Sequence, residues 1–197
     1  MRRALPFAAL AALLLAPPAA AQYGARPGPS TSVRGAAVGG EVLVSMTSGL
    51  APGARVSIGF GGLSGGYELL GRVEADAEGG FSTTLTVPDW AERNLVYLFF
   101  VNVGGGVRLF SDPFVVTGPL GALQVRGTVA EVSEGCVLIT AFDDTRYALS
   151  GGVGTVVSVG ARVAVDGNVA PRQGPSADGS LCGAPAVPVR VRTLRVG

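Results

Sequence analysis

The chain has 197 residues, 48% of them hydrophobic and 15% charged, with 31 glycines and 13 prolines. That composition excludes disorder and favours short strands and tight turns over helices. All 15 basic residues are arginine and histidine is absent, which closes Ser-His-Asp and Cys-His catalysis and the commonest zinc and non-haem iron ligand sets.

Arg2 and Arg3 precede an apolar run over residues 4–16, and Ala19, Ala20 and Ala21 supply a small-residue cleavage site. Residues 1–21 therefore read as an export signal. Pro17 and Pro18 interrupt the run before it reaches the length of a membrane anchor. No cysteine stands at the cleavage region, so a lipid-modified N-terminus is not expected. Loss of the segment leaves 13 basic against 14 acidic residues, a net charge of −1. No field of one sign then draws the chain to nucleic acid or anionic lipid. The expected location is periplasmic or extracellular, with a partner in the envelope or outside the cell and no transmembrane segment in the mature chain. The run LVYLFFV (95–101) is too short to span a bilayer.

Residues 22–30, QYGARPGPS, have linker composition. Across residues 31–117, strand patterns recur at intervals of about ten residues. Val56, Ile58 and Phe60 share one face of RVSIGF, and Phe81, Thr83, Leu85 and Val87 share one face of FSTTLTV. Further strands are expected over 41–46, 67–75, 97–103 and 113–117, with a weak edge strand near 32–37. The separators APG, GGLSGG, EGG and GGG are turn chemistry. About seven short strands predict an antiparallel β-sandwich. Tyr97, near the start of a strand that follows VPDWAER, matches the tyrosine corner of immunoglobulin-like domains. Trp90 is the single tryptophan; packed, it closes the core edge, and exposed, it marks a binding surface.

Residues 118–122 form a second linker around GPLG. Five strands are then expected over 123–132, 136–142, 146–150, 161–170 and 187–197, the count of a small OB-like barrel spanning 123–197. The insert 151–160 is too rich in glycine and β-branched residues for a regular helix. A long polar loop covers 171–185. Two cysteines in an exported chain point to a disulfide between Cys136 and Cys182. It would close a 47-residue loop, worth about 4 kcal/mol in the chain-entropy model.

The adjacent acids Asp143 and Asp144 invite a catalytic or metal reading. They fall between two strand patterns, however, where Asp favours a turn, and catalytic carboxylates normally converge from different segments. Asp76 and Glu78 likewise lack the spacing of a calcium loop. The glycine clusters match no phosphate-binding pattern. No catalytic residue, metal site or cofactor is expected. Arg190, Arg192 and Arg195 make the last strand basic. With Tyr147 beside them, Arg190 and Arg192 are the candidate ligand-binding residues, against the alternative of a solvated face.

The segment GGYELLGRVEADAEGGFSTTLTVPDWAERNLVYLFFV with SDPFVVT is similar to immunoglobulin-like modules of exported bacterial proteins. The stretches GTVAEV, GCVLITAFDDTRYALSG and VGARVAVDGNVA resemble a small secreted bacterial family of unknown function with OB-like strand order and a paired early and late cysteine. These resemblances imply an all-β, non-enzymatic, exported binding or structural module, and they transfer no functional residue. The second reading is an OB barrel that binds an anionic oligosaccharide or single-stranded nucleic acid.

Overall fold

The computed structural model describes residues 28–63, 65–133, 136–151, 153, 157–170, 180–181 and 184–197. The expected export signal and Cys182 lie outside them. The described chain is all-β. Its first part forms β1 (Ser30–Thr31), β2 (Gly35–Ala37), β3 (Glu41–Met46), β4 (Arg55–Gly62), β5 (Tyr67–Glu74), β6 (Phe81–Thr86), β7 (Val96–Asn102), β8 (Arg108–Phe110) and β9 (Phe114–Thr117).

These strands make two sheets that share one core. The smaller has the order β1-β3-β6, and the larger runs β2-β9-β7-β4-β5 with β8 also on β7. Val42, Val44, Phe81 and Leu85 project from the first sheet, and Val56, Ile58, Phe60, Phe99 and Val101 from the second, as strand alternation requires. Phe60 lies at the centre, its ring 4.8 Å from those of Tyr97 and Phe99 and 6.0 Å from that of Phe114.

Nine strands replace the expected seven. The weak strand near 32–37 is confined to Gly35–Ala37, and the separate β1 precedes it, because the chain leaves one sheet after Thr31 and enters the other at Gly35. The strand β2 runs parallel to β9, so the sandwich is not wholly antiparallel. Arg34, at the crossing, is buried and pairs with Asp112 at 2.6 Å. The strand β8 had no pattern to announce it. It holds three residues after Gly104, Gly105 and Gly106, all at positive φ. Strand pairing also begins at Ser30, inside the expected linker.

After a 3-10 turn at Pro119–Gly121 come β10 (Ala122–Ser133), β11 (Cys136–Ala141), β12 (Arg146–Ser150) and β13 (Arg162–Val169). A short ladder of β14 (Ser180–Leu181) and β15 (Ala184–Pro185) follows within the expected polar loop, then β16 (Val187–Val196). Five of these close a barrel in the order β10-β11-β12-β16-β13. Only the β12–β16 contact is parallel. The long β10 serves both neighbours, pairing β13 over 122–128 and β11 over 127–133, with a register shift between Val129 and Glu131. Gly127 sits at the changeover, where a Cβ would come within 2.5 Å of the Thr140 carbonyl oxygen. A side chain there would block the strand from turning the barrel's corner.

The two parts pack directly. Val96 and Val115, on the outer face of the large sheet, belong to the same buried cluster as Leu123 and the barrel core. Asn94 adopts φ 64, and its side-chain oxygen accepts the Gln124 N–H at 3.0 Å. Asn168 donates its amide to the Leu120 carbonyl at 2.8 Å.

Candidate functional site

The acid pair is a turn. The Asp144 N–H donates to the Ala141 carbonyl, and the Ala141 N–H to the Thr145 carbonyl. Asp144 has φ 60, and the Asp143 carboxylate accepts the Thr145 N–H at 3.1 Å. This is a three-residue hairpin loop whose last residue is left-handed. The loop is Phe142-Asp143-Asp144, one residue earlier than the strand pattern implied. Phe142 was expected at a strand end; it stands on the loop, 95% exposed. The Asp76 carboxylate is similarly taken up by the Glu78 and Gly80 N–H groups at 3.1 and 2.6 Å.

Tyr147, Arg190 and Arg192 do not converge. Tyr147 points into the barrel and is 1% exposed. Burial first, and the Asp143 carboxylate second, push its phenol above the ordinary value. Arg190 and Arg192 are exposed, and Arg192 pairs with Asp166 at 3.2 Å. A phenol inside the barrel cannot share a ligand with guanidiniums outside it. Cys136 opens β11, and its expected partner Cys182 lies outside the described residues.

Two other surfaces carry more chemistry. The first is the outer face of the large sheet. Phe100 is the cross-strand partner of Gly59, and a Cβ on Gly59 would lie 2.2 Å from the Phe100 ring. Glycine is needed there for space, because the ring lies over the strand. Tyr67 meets Phe100 edge-on at 5.3 Å, and Phe110 lies 5.9 Å from it on the other side. The Arg108 guanidinium stands 4.4 Å from the Tyr67 ring centre and 5.0 Å from that of Phe100. Asn102 fixes it by accepting its Nε–H at 3.1 Å. Tyr67, Leu69 and Phe110 are each about half exposed. The result is an aromatic platform with a cation held over it.

Sequence reasoning passed over this platform. The signal was the unbroken run Tyr97-Leu98-Phe99-Phe100-Val101, which in a strand makes both faces apolar. Trp90 does not join it. Its ring packs beside Phe60 and Tyr97, and its Nε1–H donates to the Glu68 carboxylate, closing the end of the core.

The second surface is the outer face of β10, β13 and β16. Arg126 pairs in register with Ala164, and Ala164 with Arg195. Arg162 is two residues along β13 on the same face. A groove of about 480 Å³ begins at Asn94 and Gln124, and one of about 370 Å³ reaches Phe142 and Gly197; Arg126, Ala164 and Arg195 line both.

Among the described residues no group of three or more His, Cys, Asp or Glu could hold a metal ion. No described helix is long and apolar enough to cross a membrane. Comparison of the chain with protein-family models, with curated proteins and with solved structures finds no match.

Proposed function

We propose that the mature chain is an exported, non-catalytic binding module of the periplasm or extracellular space that presents the outer face of its large sheet to a protein partner. The exposed rings of Tyr67 and Phe110, seated against the buried Phe100 with Arg108 beside them, carry this reading. Half-exposed tyrosine and phenylalanine side chains around a positioned arginine are the residue types that dominate protein–protein binding energy. The sheet orders β1-β3-β6 and β2-β9-β7-β4-β5 support an immunoglobulin-like identity for the first part. So does the Glu92 N–H, which donates to the Tyr97 hydroxyl at 2.8 Å in the manner of a tyrosine corner. Five closed strands, of which the third (β12) and the last (β16) pair in parallel, support an OB-like second part.

The Cys136–Cys182 disulfide belongs to the same proposal. Leu138, two residues after Cys136, packs with Ala186. Ala186 is four residues after Cys182, a reach of at most about 14 Å of chain.

The test immobilises mature protein and a Tyr67→Ser/Phe110→Ser variant and exposes both to the envelope and secreted proteins of the source cell. A partner held saturably by the wild type and at least about tenfold more weakly by the variant supports the reading. Equal retention by both overturns it, as does turnover of any substrate that a single substitution abolishes.

A further inference from the structure

We propose that the groove on β10, β13 and β16 is a binding site for a phosphate or sulfate monoester carried on a ring, held by Arg126, Arg162 and Arg195 and stacked on Phe142. This goes beyond the sheet-face reading and does not depend on it.

The register places the cations. Arg126 and Arg195 flank Ala164 across three adjacent strands, so their α-carbons are about 10 Å apart with only a methyl group between them. Arg162 stands one same-face step along β13, paired with Thr128. All three side chains are exposed on flexible stems that reach over the small floor of Ala164 and Gly197. Guanidinium forks from three sides suit a tetrahedral oxyanion, which accepts paired N–H bonds.

These three guanidiniums stand outside the ion pairs of the described residues. Ion pairs among the described residues are Arg34–Asp112, Arg55–Glu74 and Arg192–Asp166. None involves Arg126, Arg162 or Arg195, and Asp166, an acid on the same barrel face, is engaged by Arg192. Phe142 supplies the apolar end of the groove. It is 95% exposed on its turn and lines the same groove as Arg126, Arg162 and Arg195. Beside the arginines it offers a face for the ring that bears the anionic group.

The ends of the groove set the ligand's size. Asp143 and Asp144 follow Phe142 on the turn, and Asp166 lines the other end. A long polyanion would run from the three cations past Phe142 into the carboxylates of Asp143 and Asp144, whereas a monoester would not. The site therefore selects a compact ligand over nucleic acid or a sulfated polymer.

Binding of phenyl phosphate, phenyl sulfate, inorganic phosphate and heparin to the mature protein tests this by calorimetry. The wild type should bind at least one phenyl ester more tightly than inorganic phosphate, and the better ester identifies the source of the anion. Arg126→Ala/Arg195→Ala should weaken ester binding about tenfold or more. Phe142→Ala should erase the advantage of the phenyl ester over inorganic phosphate, and Arg190→Ala should leave affinity unchanged. These residues are exposed, and unchanged near-ultraviolet circular dichroism confirms folding. Failure of the wild type to bind either ester, equal affinity in the Arg126→Ala/Arg195→Ala variant, or binding of heparin alone would each overturn the proposal.

Discussion

The two parts of the chain are both β, yet they fill their interiors differently. The sandwich core contains Phe60, Phe81, Tyr97, Phe99 and Phe114, whereas the barrel core is built of valine, leucine and isoleucine around one ring, Tyr147. Two sheets about 10 Å apart leave a slab that takes flat rings in tilted and edge-on pairs. A five-stranded barrel has a narrow bore that branched aliphatic side chains fill. The outer faces differ too: the sandwich exposes Tyr67 and Phe110 beside Arg108, and the barrel exposes Arg126, Arg162 and Arg195 beside Phe142. Chemistry available for binding is set by what each fold does not need inside.

The strongest way to break this comparison is Phe60→Ala, which removes the ring at the centre of the sandwich and should cost about 3–5 kcal/mol. Because Val96 and Val115 belong to the barrel's cluster, denaturant unfolding followed by Trp90 fluorescence and by far-ultraviolet circular dichroism should give one shared transition at lower denaturant. Two separated transitions would show that the cores are energetically independent.

Cys136→Ser addresses the barrel from the other side. If Cys136 is bridged to Cys182, denatured unreduced protein contains no free thiol, and the substitution lowers stability by about 2–4 kcal/mol. Two free thiols in the wild type would reject the bridge.

The finest contrast is between two buried tyrosines. Tyr97→Phe removes the acceptor of the Glu92 N–H and should cost about 1 kcal/mol at neutral pH. Tyr147 acts only in alkali. Its folded pKa is raised above 10.0, so the unfolded chain releases this proton first and stability falls as pH climbs past that value. Below it the group contributes no pH dependence. Unfolding measured at about pH 9 and about pH 11 should therefore show a smaller alkaline loss in Tyr147→Phe than in the wild type.

Strands with clean alternation were readable to within a residue or two: 41–46, 81–87 and 146–150 match β3, β6 and β12. The element that escaped notice is held by a partner rather than by pattern. The strand β8 is three residues long and pairs with the edge that β7 offers. The strand β2, Gly-Ala-Ala, was legible only as a weak edge near 32–37, and its pairing with β9 beside the Arg34–Asp112 contact came from the tertiary structure. Phe142 looked like the end of a strand because it is apolar, and only the hydrogen bonds of the loop put it outside.

The candidate sites follow the same division. Composition and alternation alone determined an all-β chain without histidine chemistry, the turn at Asp143-Asp144, and which residues face each core. Tertiary structure decided which side chains meet. Gly59 makes room for Phe100, and Arg108 comes from a strand no pattern marks. Arg126 and Arg195, 69 positions apart, face each other across Ala164 only when the barrel closes. Periodicity reports the face on which a residue lies, but strand register and closure choose its neighbours, and binding depends on neighbours.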